Sequence, residues 1–258
     1  MVLVVAQAPA QTHVDAALVL AADVSISMTD ERVYRQYIGY AAAFRSPEVI
    51  AAITGGFYGA VAVTFVEWAG QPYQHQAIGW TLIDSAEGAL AFAHIVAKLG
   101  NNAAAYRPGV EWTSISSALD FCRNLLLDRL PFAAERKIID LSSDGVQNDP
   151  RDPWALARAR AAAIDNGITI NALPIQPRTM ATGIAAAMAA EVDIVEYFEN
   201  QVIGGPNAFL IEAKTWKEFP EALRRKLVLE LAGLTPDTAP QAARRLTAAG
   251  KQRVGGPG

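Results

Sequence analysis

The chain has 258 residues, of which 52% are hydrophobic and 19% are charged, and its formal net charge is −4. A chain of this length buries a substantial core without disulfides or structural metal, and its composition is globular. The sequence has no basic patch interleaved with aromatic residues, which argues against nucleic acid as a partner. It also has no run of about 18 apolar residues, so we expect no membrane span.

The N-terminal segment, residues 1–13, leaves two interpretations open. Residues 1–6 are apolar, and Ala8-Pro9-Ala10 before Gln11 resembles a signal-peptidase site. A complete signal peptide also has a positively charged start and an apolar core of ~7–15 residues, and neither is complete here. The segment is therefore the end of a signal peptide or a disordered leader. We favour the first, which predicts a periplasmic or secreted protein; the second would predict a cytoplasmic one.

Strand and helix patterns alternate along the rest of the chain. Apolar or alternating runs predict strands at 16–22, 59–68, 74–83, 136–141, 168–175 and 209–213. Amphipathic segments predict helices at 29–44, 87–99, 116–127, 154–164 and 215–231, with a short helix after Pro47. This order predicts an α/β domain at 14–233, with a doubly wound, mainly parallel, Rossmann-like central sheet flanked by helices. Residues 234–258 are Pro-, Ala- and Gly-rich, and we expect a disordered tail there.

Two faces of these helices are predicted from the pattern. The first helix is expected to bury Tyr34, Ile38 and either Ala41 or Ala42 along one stripe. In the last helix, Arg224-Arg225-Lys226 is expected to form a solvated face.

Oxygen-bearing side chains cluster where ligands bind in such sheets, beyond the carboxyl ends of the strands. The candidates are Asp23, Ser25 and Ser27 after the first strand, Thr113 on a later loop, and Asp144 after the strand at 136–141. Gly145 is expected to permit the tight turn that brings Asp144 back toward the strand ends. Hard oxygen donors without His or Cys suit Mg²⁺, Mn²⁺ or Ca²⁺ rather than Zn²⁺. The sequence therefore predicts a divalent-cation site.

Simpler roles exist for the same residues. Asp23 is also compatible with a turn at a strand end, and Ser25 and Ser27 with helix caps. Ser114 competes with Thr113 as the ligand on its loop. Trp112 directly precedes Thr113 and would either pack structurally or flank the site.

The order of these elements resembles the von Willebrand factor A domains, which include the integrin inserted domains. That family carries a metal-ion-dependent adhesion site, with Asp-x-Ser-x-Ser after the first strand, a later Thr, and an Asp after the central strand. Asp23, Ser25 and Ser27 match the first part, Thr113 the second and Asp144 the third, and the resemblance covers 14–233. The run YFENQVIGGPNAF at 197–209 also resembles a bacterial von Willebrand A-like subfamily of unknown function that is often exported.

The resemblance implies a binding module for other proteins. Asp23, Ser25, Ser27, Thr113 and Asp144 would then bind Mg²⁺, or else Mn²⁺ or Ca²⁺, some of them through water. A carboxylate from a protein partner, which the sequence does not identify, would complete the coordination.

Two other functions are compatible with parts of the sequence. A haloacid-dehalogenase-like phosphohydrolase would use Asp23 as nucleophile, and the run from Asp144 to Asp149 superficially fits its later acidic element. Its nucleophile loop reads Asp-x-Asp, however, and here the acid/base position holds Ser25, which cannot transfer the proton. We therefore predict that the chain is not an enzyme. A von Willebrand A scaffold whose metal is merely structural is the third possibility.

Overall fold

In this computed structural model the described residues are 11–102, 110, 112–149, 151–176 and 192–239. Residues 1–10 of the leader predicted at 1–13 lie outside them, as does most of the tail predicted at 234–258, from 240 onward. Thr12 and His13, also assigned to the leader, instead form a short strand with Val14. The strands are β1 (Thr12–Val14), β2 (Ala16–Asp23), β3 (Val61–Trp68), β4 (Gln74–Ile83), β5 (Phe132–Ala134), β6 (Lys137–Ser143) and β7 (Ile168–Pro174). The helices are α1 (Asp30–Arg45), α2 (Pro47–Thr54), α3 (Ala86–Asn102), α4 (Ile115–Asp128), α5 (Ala155–Asp165), α6 (Ile194–Tyr197, continued by a π-helical turn, Phe198–Val202) and α7 (Phe219–Ala232).

The central sheet has five strands in the order β4-β3-β2-β6-β7. The β2, β3, β6 and β7 strands pair in parallel, and β4 runs antiparallel along the outer edge of β3. The predicted α/β class with a mainly parallel, helix-flanked sheet is confirmed.

The central strand β2 contributes to two hydrophobic cores. Leu18 and Leu20 face a core that includes side chains of α1, α3 and α7, whereas Val19 and Ala21 face a second core with α4 and α5. Successive side chains of a strand point to opposite faces, so both faces of β2 are covered. This explains why its sequence is a continuous apolar run rather than an alternating one.

Three details of the secondary structure differ from the predictions. Residues 209–213 do not form a strand; they make isolated bridges through Leu210 and Ala213 only. One reason is that the Phe209 N–H donates to the Asn171 side chain (2.9 Å) instead of to a neighbouring strand. The last helix begins at Phe219 rather than at 215. The parallel pair of β1 and β5 was not predicted, because strands of three residues are too short to show a period.

The buried face of α1 lies one residue away from the predicted stripe. Tyr34 is 45% exposed and Ile38 is only half-buried, whereas Ala41 is buried as predicted. The aromatic side chains that are buried on this helix are Tyr37 and Tyr40. The Tyr37 hydroxyl donates to Glu67, and the Tyr40 hydroxyl lies 3.2 Å from Ser142 Oγ. These polar partners on the sheet allow tyrosine to be buried on this face.

The prediction that Arg224-Arg225-Lys226 forms a solvated face of α7 is wrong for Lys226. Lys226 is fully buried between two acidic side chains: its Nζ lies 2.5 Å from Asp140 Oδ1 and 2.5 Å from Glu230 Oε1. Arg224 is exposed and pairs with Glu48 and Glu221, as expected for a surface residue. Over the part of the chain that is described, no helix is long and apolar enough to cross a bilayer.

Candidate metal centre

Three loops lie at one edge of the sheet: the loop after β2, the loop before α4 and the loop after β6. The β2, β3 and β6 strands end at Asp23, Trp68 and Ser143. The Val24 N–H donates to the Trp68 carbonyl (2.8 Å), which holds the loop after β2 against the end of β3. The Ser114 N–H donates to the Ala69 carbonyl (3.0 Å), which ties the loop before α4 to the same place. The three loops therefore meet at the carboxyl ends of the central strands.

The five predicted site residues are brought together at this edge. The Ser25 N–H donates to Asp23 Oδ1 (2.8 Å), and Ser27 Oγ donates to Asp144 Oδ1 (2.8 Å). The hydroxyl oxygens of Ser25 and Ser27 are 3.1 Å apart. Thr113 Oγ1 donates to Ser25 Oγ at 3.5 Å. A chain of hydrogen bonds thus links side chains that are far apart in sequence.

Both carboxylates of the cluster are withdrawn from solvent. Asp23 is 0% exposed and Asp144 is 4% exposed. Burial, reinforced by the neighbouring Asp144, raises the pKa of Asp23 to about 7. Burial also raises the pKa of Asp144, against the opposing effects of Ser27 and Arg32. Two buried like charges side by side are stabilised by a nearby cation, so the arrangement favours positive charge at this place.

Two residues that the sequence analysis missed hold Asp23 in place. Ser143 Oγ lies 2.5 Å from Asp23 Oδ2 and donates to it. Gln36 Nε2 donates to the Asp23 carbonyl (3.0 Å), while Gln36 Oε1 accepts from Ser142 (2.9 Å). The pair Ser142-Ser143 just before Asp144 was a usable signal for the first contact. Nothing in the sequence pointed to Gln36, a polar residue buried inside a helix.

Arg32 was also missed, and it touches the predicted site directly. Its Nη1 donates to Asp144 Oδ2 (3.0 Å) and to the Ser27 carbonyl (3.2 Å). Arg32 lies in the first turn of α1, whose N-cap is the predicted Thr29. A basic residue in a first helical turn is unfavourable to the helix dipole, and this was the available signal for a local function.

The turn after β6 is formed differently from the prediction. Gly145 does not adopt a positive φ. Its N–H donates to the Ser143 hydroxyl oxygen (3.1 Å), so the serine side chain, rather than glycine's conformational freedom, closes the turn. A methyl group at position 145 would lie 3.5 Å from Thr113 Oγ1, which is ordinary contact.

The loop before α4 presents Thr113 rather than Ser114 to the cluster. Thr113 is held through its backbone: its N–H donates to Asn148 Oδ1 (2.7 Å), and its carbonyl accepts from the Asn148 N–H (3.1 Å). Ser114 Oγ instead donates to Ser117 Oγ (2.9 Å) in the first turn of α4. This favours Thr113 as the ligand on this loop.

Two apolar side chains on the site loops face solvent. Ile26 lies between Ser25 and Ser27 and is 57% exposed, and Trp112, next to Thr113, is 44% exposed. Their loops are joined by a hydrogen bond from the Ile26 N–H to the Val110 carbonyl (3.3 Å). Trp112 therefore lies on a loop of the site rather than in the core.

The donor set fits a hard divalent cation. Among the described residues there is no group of three or more His, Cys, Asp or Glu that could hold a metal ion. The cluster offers two carboxylates and three hydroxyls instead, and such oxygen donors suit Mg²⁺, Mn²⁺ and Ca²⁺. With only two carboxylates, such a site leaves coordination positions for water and for an outside ligand.

Solved structures with the same fold include a pilus adhesin and a pilus tip protein. Proximal thread matrix protein 1 of the mussel byssus, solved with a zinc-occupied MIDAS motif, is 16% identical, with a TM-score of 0.53 over 86% of this chain and 49% of that one. The pilus adhesin SpaC of Lactobacillus rhamnosus GG is 14% identical, with a TM-score of 0.52 over 87% and 31%. The von Willebrand domain of the type V pili tip protein Mfa5 of Porphyromonas gingivalis is 12% identical, with a TM-score of 0.51 over 86% and 97%. This chain thus spans about half of the byssus protein and a third of SpaC.

Sequence comparison places the chain in one family. No curated protein matches it. The profile described as "protein of unknown function (DUF1194)" matches residues 13–235, which is most of the chain. The chain therefore belongs to the DUF1194 family, and its fold is that of a von Willebrand factor A domain.

Proposed function

We propose that this protein is a divalent-cation-dependent protein-binding module whose metal site consists of Asp23, Ser25, Ser27, Thr113 and Asp144. The convergence of these five oxygen-bearing side chains from three separate loops carries the proposal. The pilus adhesin and the pilus tip protein among the solved structures with this fold support an interaction function in general.

The protein's own residues would prepare the site before a metal arrives. Ser143 and the Ser25 N–H fix the two oxygens of Asp23, and Ser27 orients one oxygen of Asp144. Partners of this kind orient metal ligands and tune metal affinity. A bound Mg²⁺, Mn²⁺ or Ca²⁺ would supply a Lewis acid to which an oxygen from outside the chain can bind.

A carboxylate of a partner protein is the outside oxygen that we propose. The exposed side chains of Ile26 and Trp112 flank the cluster and would contact apolar groups beside that carboxylate. Aromatic side chains are enriched in protein interfaces, where they contribute much of the binding energy. We further propose that the module extends over 14–233 and acts outside the cytoplasm, as do the pilus proteins with this fold.

The phosphohydrolase alternative gains no support from the contacts around Asp23. Ser25 occupies the acid/base position and interacts with Asp23, Ser27 and Thr113. Asp149, the last residue of the acidic element, pairs with Arg151 at 2.5 Å, and hydrogen bonds from that arginine hold the pKa of Asp149 below its usual range. An ion-paired carboxylate with a low pKa is a poor proton donor, so Asp149 does not replace the acid/base residue that is missing at position 25.

Thermal melting with Mg²⁺ or Mn²⁺, for wild type and Asp23→Asn, tests the cation site. A cation that binds only the folded state adds about 2.7 kcal/mol at one hundred times Kd, so the melting temperature of the wild type should rise and saturate. Asp23→Asn should abolish this rise because it removes one of two charged ligands. In metal-free buffer the variant should be at least as stable as wild type, since it loses a buried charge whose pKa is raised.

Asp120→Asn provides the matched control, because Asp120 is a half-exposed carboxylate on α4 that pairs with Arg123. It should respond to metal as the wild type does. Equal metal responses of wild type and Asp23→Asn would refute the proposed site. Unfolding of the wild type in metal-free buffer, together with unfolding of Asp23→Asn with or without metal, would favour a purely structural metal.

A further inference from the structure

Arg32 is the positively charged group that contacts the two-carboxylate cluster in the described part of the chain. Its guanidinium lies 3.0 Å from Asp144 Oδ2, and its side chain is 21% exposed while that of Asp144 is 1% exposed. Charge-assisted hydrogen bonds of this kind are stronger than neutral ones. The same Nη1 donates to the Ser27 carbonyl at 3.2 Å, so Arg32 bridges two of the three loops.

Both oxygens of Asp144 already have partners. Oδ1 accepts from Ser27, which is itself a proposed ligand, and Oδ2 accepts from Arg32, which can bind no metal. A cation that takes Asp144 as a ligand must therefore share this carboxylate with the guanidinium or displace it. Like charges at such distances repel, and the repulsion is strong where water is excluded.

We propose that Arg32 is an internal counter-ion of the metal centre that competes with the divalent cation for Asp144 and so keeps metal affinity low. This inference rests on the proposed function. With both carboxylates ionised, Asp23, Asp144 and Arg32 give the metal-free cluster a formal charge of −1. A divalent cation changes it to +1, whereas the same cluster without Arg32 would be neutral when loaded. Arg32 would thus hold the loops together without metal and make the loaded site attractive to an acidic partner.

Isothermal titration with Mg²⁺ and Mn²⁺ tests this inference on the full chain. Arg32→Gln should bind either metal more tightly than wild type, by on the order of tenfold, the scale on which groups bonded to metal ligands change affinity. The metal-free variant should melt at a lower temperature than wild type, since Asp144 loses its counter-ion. A residue that merely supported the fold would weaken metal binding on removal, which is the opposite sign.

Two further variants serve as controls. Arg32→Lys keeps the charge and should bind metal as weakly as wild type. If Arg32→Gln does not fold, the uncharged Arg32→Met replaces it, with the same expected gain in metal affinity. Arg35→Gln lies one turn along α1, where Arg35 pairs with the exposed Glu31, and should leave metal affinity unchanged.

The outcomes separate this inference from the function on which it rests. If wild type binds metal and Arg32→Gln binds it equally or more weakly, the inference is overturned and the proposed function stands. If Arg32→Lys gains as much affinity as Arg32→Gln, the charge is not the cause, and the inference is again overturned. If neither wild type nor any Arg32 variant binds Mg²⁺ or Mn²⁺, the proposed function fails as well.

Discussion

Replacing Lys226 with methionine is expected to destabilise the protein by about 3–5 kcal/mol, the usual cost of removing one partner from a buried ion pair. Lys226 is fully buried in α7, and its Nζ lies 2.5 Å from Asp140 Oδ1 on strand β6. Without the lysine, a buried carboxylate would remain without its positive partner. Methionine fills a similar volume, so the loss would report the charge rather than a cavity.

Chemical denaturation of both proteins at pH 7 measures this difference. Lys217→Met is the control, because Lys217 is an exposed lysine just before the same helix. It should change the free energy of unfolding by less than about 0.5 kcal/mol, as surface substitutions usually do. A loss below 1 kcal/mol in Lys226→Met would contradict the view that Lys226 compensates the charge of Asp140.

Replacing Glu230 with glutamine should stabilise the protein, increasingly so as the pH rises. Burial, aided by Asp140, raises the pKa of Glu230 to about 8, although Lys226 and Asn171 oppose the shift. In the unfolded chain this carboxyl titrates near 4.5. The folded state therefore holds a proton between pH 4.5 and 8 that the unfolded state has lost. In the wild type, the contribution of the protonated Glu230 to the free energy of unfolding is therefore complete below about pH 4.5. It is lost as the pH rises through about 8.

Linkage sets the upper limit of this effect at about 1.4 kcal/mol per pH unit. Glu230→Gln stays neutral, and its amide oxygen can still accept from Asn171, as Glu230 Oε1 does at 2.8 Å. Its free energy of unfolding relative to wild type should increase between pH 5 and pH 8. Glu221→Gln, an exposed position in α7, should show no such trend. A difference from wild type that is independent of pH would show that Glu230 is already ionised at pH 5.

The sequence predicted the elements that bury apolar runs, because hydrophobic periodicity reports directly on burial. Features that depend on hydrogen bonds or ion pairs between residues far apart in the sequence were not predicted. The face of α1 was misplaced because the partners of its buried tyrosines lie on the sheet, and Lys226 was assigned to solvent because its acids lie on β6 and one turn further along α7. The prediction of a strand at 209–213 is wrong for a similar reason, because the Phe209 N–H donates to the side chain of Asn171 on β7.

The candidate site was predicted better than its surroundings. The order and spacing of its oxygen-bearing residues are visible in the sequence, and the structure brings these residues together: Asp23, Ser25, Ser27, Thr113 and Asp144. Gln36 contacts the Asp23 carbonyl from the buried face of α1. Arg32 contacts the Asp144 carboxylate from the first turn of the same helix. Their roles arise from how the helix packs on the sheet, which no local pattern encodes. That all five side chains bind a cation remains a prediction.

The most direct measurement is an anomalous difference map from crystals grown with Mn²⁺, collected above the manganese absorption edge. The proposed function predicts one strong peak within coordination distance of the Asp23 and Asp144 carboxylates and the hydroxyls of Ser25, Ser27 and Thr113, directly or through water. It also predicts that the peak disappears in crystals of Asp23→Asn. A map with no peak at this edge of the sheet at millimolar Mn²⁺, or with its peak elsewhere on the protein, would contradict the account.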